Sequence, residues 1–192
     1  MSLQKYYRRY GVDEELDKLV DSENDADRIE AAKQGYGLDV LVNDENDDVR
    51  IAVAKYGYGL NQLSKDENSY VRAAVALNNY ALDSLVYDKD PIVRYQVALS
   101  GSDAELDILI KDENDWVRDA VAERGRPQDL DILVNDTSYI VRLSVAEHGR
   151  PQDLAILRKD ANEDVRDVVA EKTGELSRSE KSKSSRATIE RE

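Results

Sequence analysis

Asp112-Glu-Asn-Asp-Trp-Val-Arg-Asp-Ala-Val-Ala122 is one wording of a phrase that recurs along most of this 192-residue chain. It stands almost unchanged as Asp44-Glu-Asn-Asp-Asp-Val-Arg-Ile-Ala-Val-Ala54 and as Asp66-Glu-Asn-Ser-Tyr-Val-Arg-Ala-Ala-Val-Ala76. Looser copies surround Arg94, Arg142 and Arg166, and an eroded one surrounds Arg28. Self-similarity at a period of about 20–50 residues marks a solenoid, whose units bury a core only against their neighbours.

Outward from that phrase, residues 11–172 divide into seven units: 11–34, 35–56, 57–78, 79–100, 101–124, 125–148 and 149–172. Each opens with a turn and a leucine pair three apart, as in Leu38/Leu41 and Leu130/Leu133, a spacing that suits a short 3₁₀ or α-helical turn. A longer helix follows. Its N-cap column is Asn24, Asn46, Asn68, Asp90, Asn114, Ser138, Asn162, all preferred capping residues, and Pro91 takes a first helical position. Valine pairs four apart, such as Val49/Val53 and Val117/Val121, form the inward stripe. Gly35, Gly57, Gly101, Gly125 and Gly149 are expected to end these helices with φ > 0, and Asn79 to do so in the fourth unit. Two dialects are visible: units 2 and 3 begin Gly-Tyr-Gly-Leu, units 6 and 7 Gly-Arg-Pro-Gln-Asp-Leu. Residues 1–10 form a basic, aromatic lead-in. Residues 173–192 lack the pattern and read as a polar tail, disordered or loosely helical.

The phrase Leu-x-x-Leu-x-x-Asp-x-x-x-x-Val-Arg-x-x-Val-Ala at this period resembles the leucine-rich repeat variant family, as Leu82 to Asp88 followed by Val93 to Ala98 illustrates. The resemblance implies an all-α, right-handed superhelical solenoid of alternating 3₁₀ and α-helices in two layers. An iron–sulfur cluster associated with that family does not carry over, because the chain has no cysteine. HEAT-like repeats of the bilin-lyase type share the Val-Arg phrase, but their period is nearer thirty residues.

Composition restricts function. Residues 11–172 hold 19 basic and 37 acidic side chains, a net of −18 within a chain total of −14. Phosphate binding depends on Lys and Arg, so such an array disfavours nucleic acid and favours a basic or apolar protein or peptide. Without cysteine and with a single histidine, thiolate sites are excluded and no metal or cofactor is expected. No apolar run approaches a membrane span, no secretory h-region opens the sequence, and a cytoplasmic location is expected.

The arginine column (Arg28, Arg50, Arg72, Arg94, Arg118, Arg142, Arg166) invites an anion-binding reading. Its presence in every unit favours a structural ladder in which each Arg meets a carboxylate and loop carbonyls. His148, at the end of a helix, reads as a cap rather than a catalyst. The informative departures lie just before and just after the first valine, where the middle units carry Tyr70, Ile92, Tyr95, Trp116 and Leu143 while outer units carry Ala26, Asp48, Asp164 and Asp167. Leu77 and Leu99 extend that middle, with Lys or Glu elsewhere. These five residues are the expected partner-binding patch of a non-catalytic scaffold, unless they pack between adjacent helices. A helical-repeat enzyme or nucleic-acid repair protein is the alternative, as is a spacer without a dedicated partner.

Overall fold

A computed structural model describes residues 14–175. The lead-in 1–10 and the tail beyond residue 175 lie outside the described residues. Among the described residues the chain is helical throughout, with a short and a long helix in each repeat: α1 (Glu14–Val20) and α2 (Asp25–Lys33), α3 (Leu38–Leu41) and α4 (Asp47–Tyr56), α5 (Leu60–Leu63) and α6 (Ser69–Leu77), α7 (Leu82–Leu85) and α8 (Pro91–Ser100). Then come α9 (Asp103–Leu109) and α10 (Asp115–Glu123), α11 (Pro127–Leu133) and α12 (Tyr139–Glu147), α13 (Pro151–Leu157) and α14 (Glu163–Thr173). Contacts gather these into two compact units, one ending at Asp107 and the other beginning at Ile108.

In the first unit the long helices pack in sequence, α2 on α4, α4 on α6 and α6 on α8; in the second, α10 packs on α12 and α12 on α14. The valine stripe makes these contacts. Val49, Val53, Val71, Val75, Val93 and Val97 are fully buried, as are Val117, Val121, Val141, Val145 and Val165. The alanine beside the second valine is equally buried in five repeats (Ala54, Ala76, Ala98, Ala122, Ala146), because only a methyl leaves room for the neighbouring helix, and Ala170 in the last repeat is half-buried. Leucines from the short helices close the other side of each core, with Leu38, Leu41, Leu63, Leu106, Leu109, Leu130, Leu133 and Leu157 buried.

The short elements are α-helical rather than 3₁₀. Leu41 N–H and Val42 N–H donate to Gly37 O and Leu38 O in the α pattern, and both ends tighten, with Val40 N–H donating to Gly37 O at the entry and Asn43 to Val40 O and Asp44 to Leu41 O at the exit. The two dialects are two ways of turning into that helix. In the 22-residue repeats Gly35 and Gly37, then Gly57 and Gly59, all take φ > 0, and the short helix has four residues. In the longer repeats one left-handed glycine (Gly125, Gly149) is followed by an extended arginine and a proline at the first helical position, and the helix grows to seven residues. The fourth repeat uses the short geometry without glycine: Asn79 has φ 56° and Ala81 φ 55°.

One sequence expectation is corrected here. Gly101 does not take φ > 0; it is extended at φ −69°, and its N–H closes α8 onto Val97 O. Glycine stands there because a Cβ would come within 2.7 Å of the Val97 carbonyl oxygen.

Candidate functional site

Each long helix begins on its expected cap residue. Asn46 Oδ1 accepts from Asp48 N–H and Val49 N–H, and Asn68 and Asn114 do the same for their helices. The other end of the amide has a second task, since Asn46 Nδ2 donates to Asp25 at 2.7 Å and Asn68 Nδ2 donates to Asp47, each in the preceding repeat. Ser138 departs from the expectation. It occupies the cap position but makes no capping bond, and its hydroxyl donates instead to Asp115 at 2.9 Å. One hydroxyl cannot reach both ways as an amide can.

The arginine column forms inter-repeat rungs. Arg50 grips Asp66 with Nε and Nη2 at 2.8 and 3.0 Å while Nη1 donates to Asp44 O and Glu45 O. Arg28 holds Asp44, Arg72 holds Asp88, Arg118 holds Asp136 and Arg142 holds Asp160 in the same two-pronged way. Arg94 donates to Asp88 O, and Arg166 donates to Asp160 O and Ala161 O. Each aspartate is thus a joint: its carboxylate takes the previous repeat's arginine and its carbonyl takes its own. The carboxylate also accepts the N–H two residues on, as Asn46 N–H to Asp44 Oδ1. Burial alone would raise the Asp44 and Asp66 carboxyls, but the bonded guanidinium, that N–H and the flanking arginine charges hold both below the usual carboxylate range. Asp88 and Asp136, raised by burial in the same way, are also held low by the bonded arginine and the N–H two residues on, and in Asp160 the Arg142 bond is the largest influence and lowers it. In the five two-pronged rungs Nε and both Nη nitrogens are engaged inside the protein, which leaves little for an incoming anion.

A second set of pairs escaped the sequence reading, which took Gly-Arg-Pro-Gln-Asp as dialect alone. Arg126 clamps Asp129 at 2.6 and 2.8 Å, and Arg150 clamps Asp153 while also reaching Asp131 and Pro127 O in the preceding repeat. Asp129 and Asp153 are almost wholly buried. The signal was present as an Arg and an Asp three apart across a helix start. His148 is also refined: its ring lies over Gly125 and its Nε2 sits 2.8 Å from Ala122 O, so it caps the preceding repeat's helix rather than its own.

The five expected patch residues fall in both units. Tyr70 on α6, with Ile92 and Tyr95 on α8, belong to the first; Trp116 on α10 and Leu143 on α12 belong to the second. Tyr70 is 58% and Trp116 65% exposed, and Ile92, Tyr95 and Leu143 are half-buried. Within each unit the helices bearing them are packed neighbours. One turn beyond Trp116, Asp119 accepts from Ser144 Oγ at 2.5 Å; burial and the nearby Asp115 charge raise its carboxyl above the usual range against that bond. The sequence reading also missed Ile108, Ile132 and Ile156. They recur at one position of the short helices in the second unit and are 41%, 55% and 51% exposed.

A solved structure described as a leucine-rich repeat variant with a novel repetitive protein structural motif matches this chain at 29% identity and a TM-score of 0.63, over 82% of this chain and 70% of that one. The chain has the leucine-rich repeat variant fold. No family model and no curated protein sequence matches it. Within this fold the recurring Arg, Asp and Asn residues are joints between repeats. Among the described residues no group of three or more His, Asp or Glu side chains is arranged to hold a metal ion, and no helix is long and apolar enough to cross a membrane.

Proposed function

We propose that this repeat array is a non-catalytic scaffold that binds a protein or peptide through its exposed apolar and aromatic side chains: Tyr70, Ile92 and Tyr95 on the first unit, Trp116 and Leu143 on the second. One observation carries the reading. Tyr70 and Trp116 stand at the second residue of a long helix, where other repeats hold Ala26, Asp48 or Asp164, and both are more than half exposed. The repeat does not require bulk there, and Tyr and Trp are the side chains most enriched among binding hot spots. The acidic surroundings favour a basic or apolar partner. An enzyme reading would draw support from a bonded Asp–Trp–Arg cluster, but Arg118 is bound to Asp136 and Trp116 stands exposed.

The test is capture from the native lysate with wild-type protein and with Trp116→Ala and Tyr70→Ala. A partner retained by wild type should bind Trp116→Ala more weakly by about 2 kcal/mol or more, with little change in either melting temperature. A partner held equally by all three proteins would place recognition elsewhere.

A further inference from the structure

The first unit also carries a groove over α2 and α4 that encloses about 390 Å³ and is lined by Ile29, Lys33, Asp48, Ile51, Lys55 and Tyr56, with Ala52 beneath. We infer that this groove binds an acidic–apolar peptide segment, in which two carboxylates meet Lys33 and Lys55 while an apolar side chain between them rests on Ile29 and Ile51. This goes beyond the scaffold reading: the groove occupies the same positions of the repeat as the apolar patch, in the first two repeats, with the opposite charge preference.

The groove is built by the repeat. Lys33 and Lys55 hold equivalent positions in successive repeats, as do Ile29 and Ile51. Ile29 and Ile51 are half-buried and form an apolar floor, while Lys33, Lys55 and Tyr56 are exposed at its rim. The Tyr56 ring lies directly over Gly35, where any Cβ would strike it, so that wall depends on a glycine. Neither lysine has an ion pair or hydrogen bond among the described residues. Asp48 is seven residues before Lys55 on α4, which puts it about 10 Å away along the helix, and Glu30, three residues before Lys33 on α2, accepts from the Gln34 amide.

The bland explanation is that these lysines only complement the negative C-termini of their helices. It would put a cation at this position in every repeat. Instead the position holds Leu77 and Leu99, then Glu123, Glu147 and Glu171, the last three against the helix dipole. Lysine occurs only in the two repeats that frame the groove. Packed helices lie about 8–10 Å apart, and a peptide in the polyproline II conformation advances about 3.1 Å per residue with every third side chain on the same side. Acidic residues three apart therefore match the two ammonium groups. The open rim suits a peptide laid across the helices rather than an enclosed small molecule.

The experiment is an NMR titration of the full chain with the acetylated, amidated peptides Glu-Leu-Ser-Glu-Leu and Lys-Leu-Ser-Lys-Leu, on wild type, on the double variant Lys33→Glu/Lys55→Glu, and on Trp116→Ala. The acidic peptide should shift α2 and α4 amides, bind about tenfold more weakly to the double variant, and weaken with added salt. Glutamate is native at this position in three repeats, so the double variant should fold, with the small fall in melting temperature expected when two helix-end charges are reversed. Trp116→Ala should bind the acidic peptide as wild type does, which separates this site from the proposed partner surface. Equal binding by the two peptides, undiminished binding by a folded double variant, or no shifts in α2 and α4 would each overturn the inference.

Discussion

Ala81 shows how one residue can carry strain that the rest of the repeat hides. It takes φ 55° at the position where the two preceding repeats place Gly37 and Gly59. A left-handed alanine costs about 1–2 kcal/mol, against about 0.5–1 kcal/mol of extra entropy lost when glycine is ordered. Ala81→Gly should therefore stabilise the protein by up to about 1 kcal/mol, read as a higher denaturant midpoint with an unchanged slope. A lower midpoint would mean the alanine methyl makes packing contacts worth more than the strain. The cap column gives a second comparison at this scale. Asn68 both caps α6 and donates to Asp47, whereas Asn162 only caps α14. Asn162→Ala should cost about 0.5–2 kcal/mol and Asn68→Ala more. Equal costs would show that the bond to the preceding repeat is energetically idle.

Between elements, the aspartate joints make stability depend on pH. Asp44, Asp66, Asp88, Asp136 and Asp160 all have lowered carboxyls in the folded chain. A carboxyl lowered by folding contributes stability that is complete above its unfolded value, about 3.9 for Asp, and is lost as pH falls through its folded value. Relief of the −14 net charge on acidification acts the other way. The rungs should win because they are five and partly buried. Melting temperature should hold from pH 7 to 5 and fall below about pH 4; a rise on acidification from pH 5 to 3 would contradict the rungs' role.

The repeat phrase made these elements legible from sequence. Caps, valine stripes and Arg–Asp spacing recur, and a pattern seen seven times reveals its constraint. Features that occur once or twice did not show in the same way. Gly101 is extended because of one carbonyl, Ser138 turns to Asp115 because a hydroxyl is short, and Asp129 is buried by a local fold-back onto Arg126. The groove beneath Lys33 and Lys55 was equally hidden, since each lysine alone reads as an ordinary helix end.

At the scale of the whole molecule the side chains fall into two sets. Those that recur join repeats, and those that depart from the repeat are available for recognition. Arg118 and Trp116 sit two residues apart on α10 and fall on opposite sides of that division. Arg118 is tied to Asp136, with only 13% of its side chain exposed, whereas Trp116 is 65% exposed. The most direct test is one set of thermal melts of wild type, Arg118→Ala and Trp116→Ala under identical conditions. Removing Arg118 leaves a mostly buried carboxylate without its partner and should cost about 3 kcal/mol, a fall on the order of 10 °C. Trp116→Ala should stay within about 0.5 kcal/mol of wild type. An unchanged melt for Arg118→Ala together with a large fall for Trp116→Ala would reverse the assignment and make the tryptophan a packing residue.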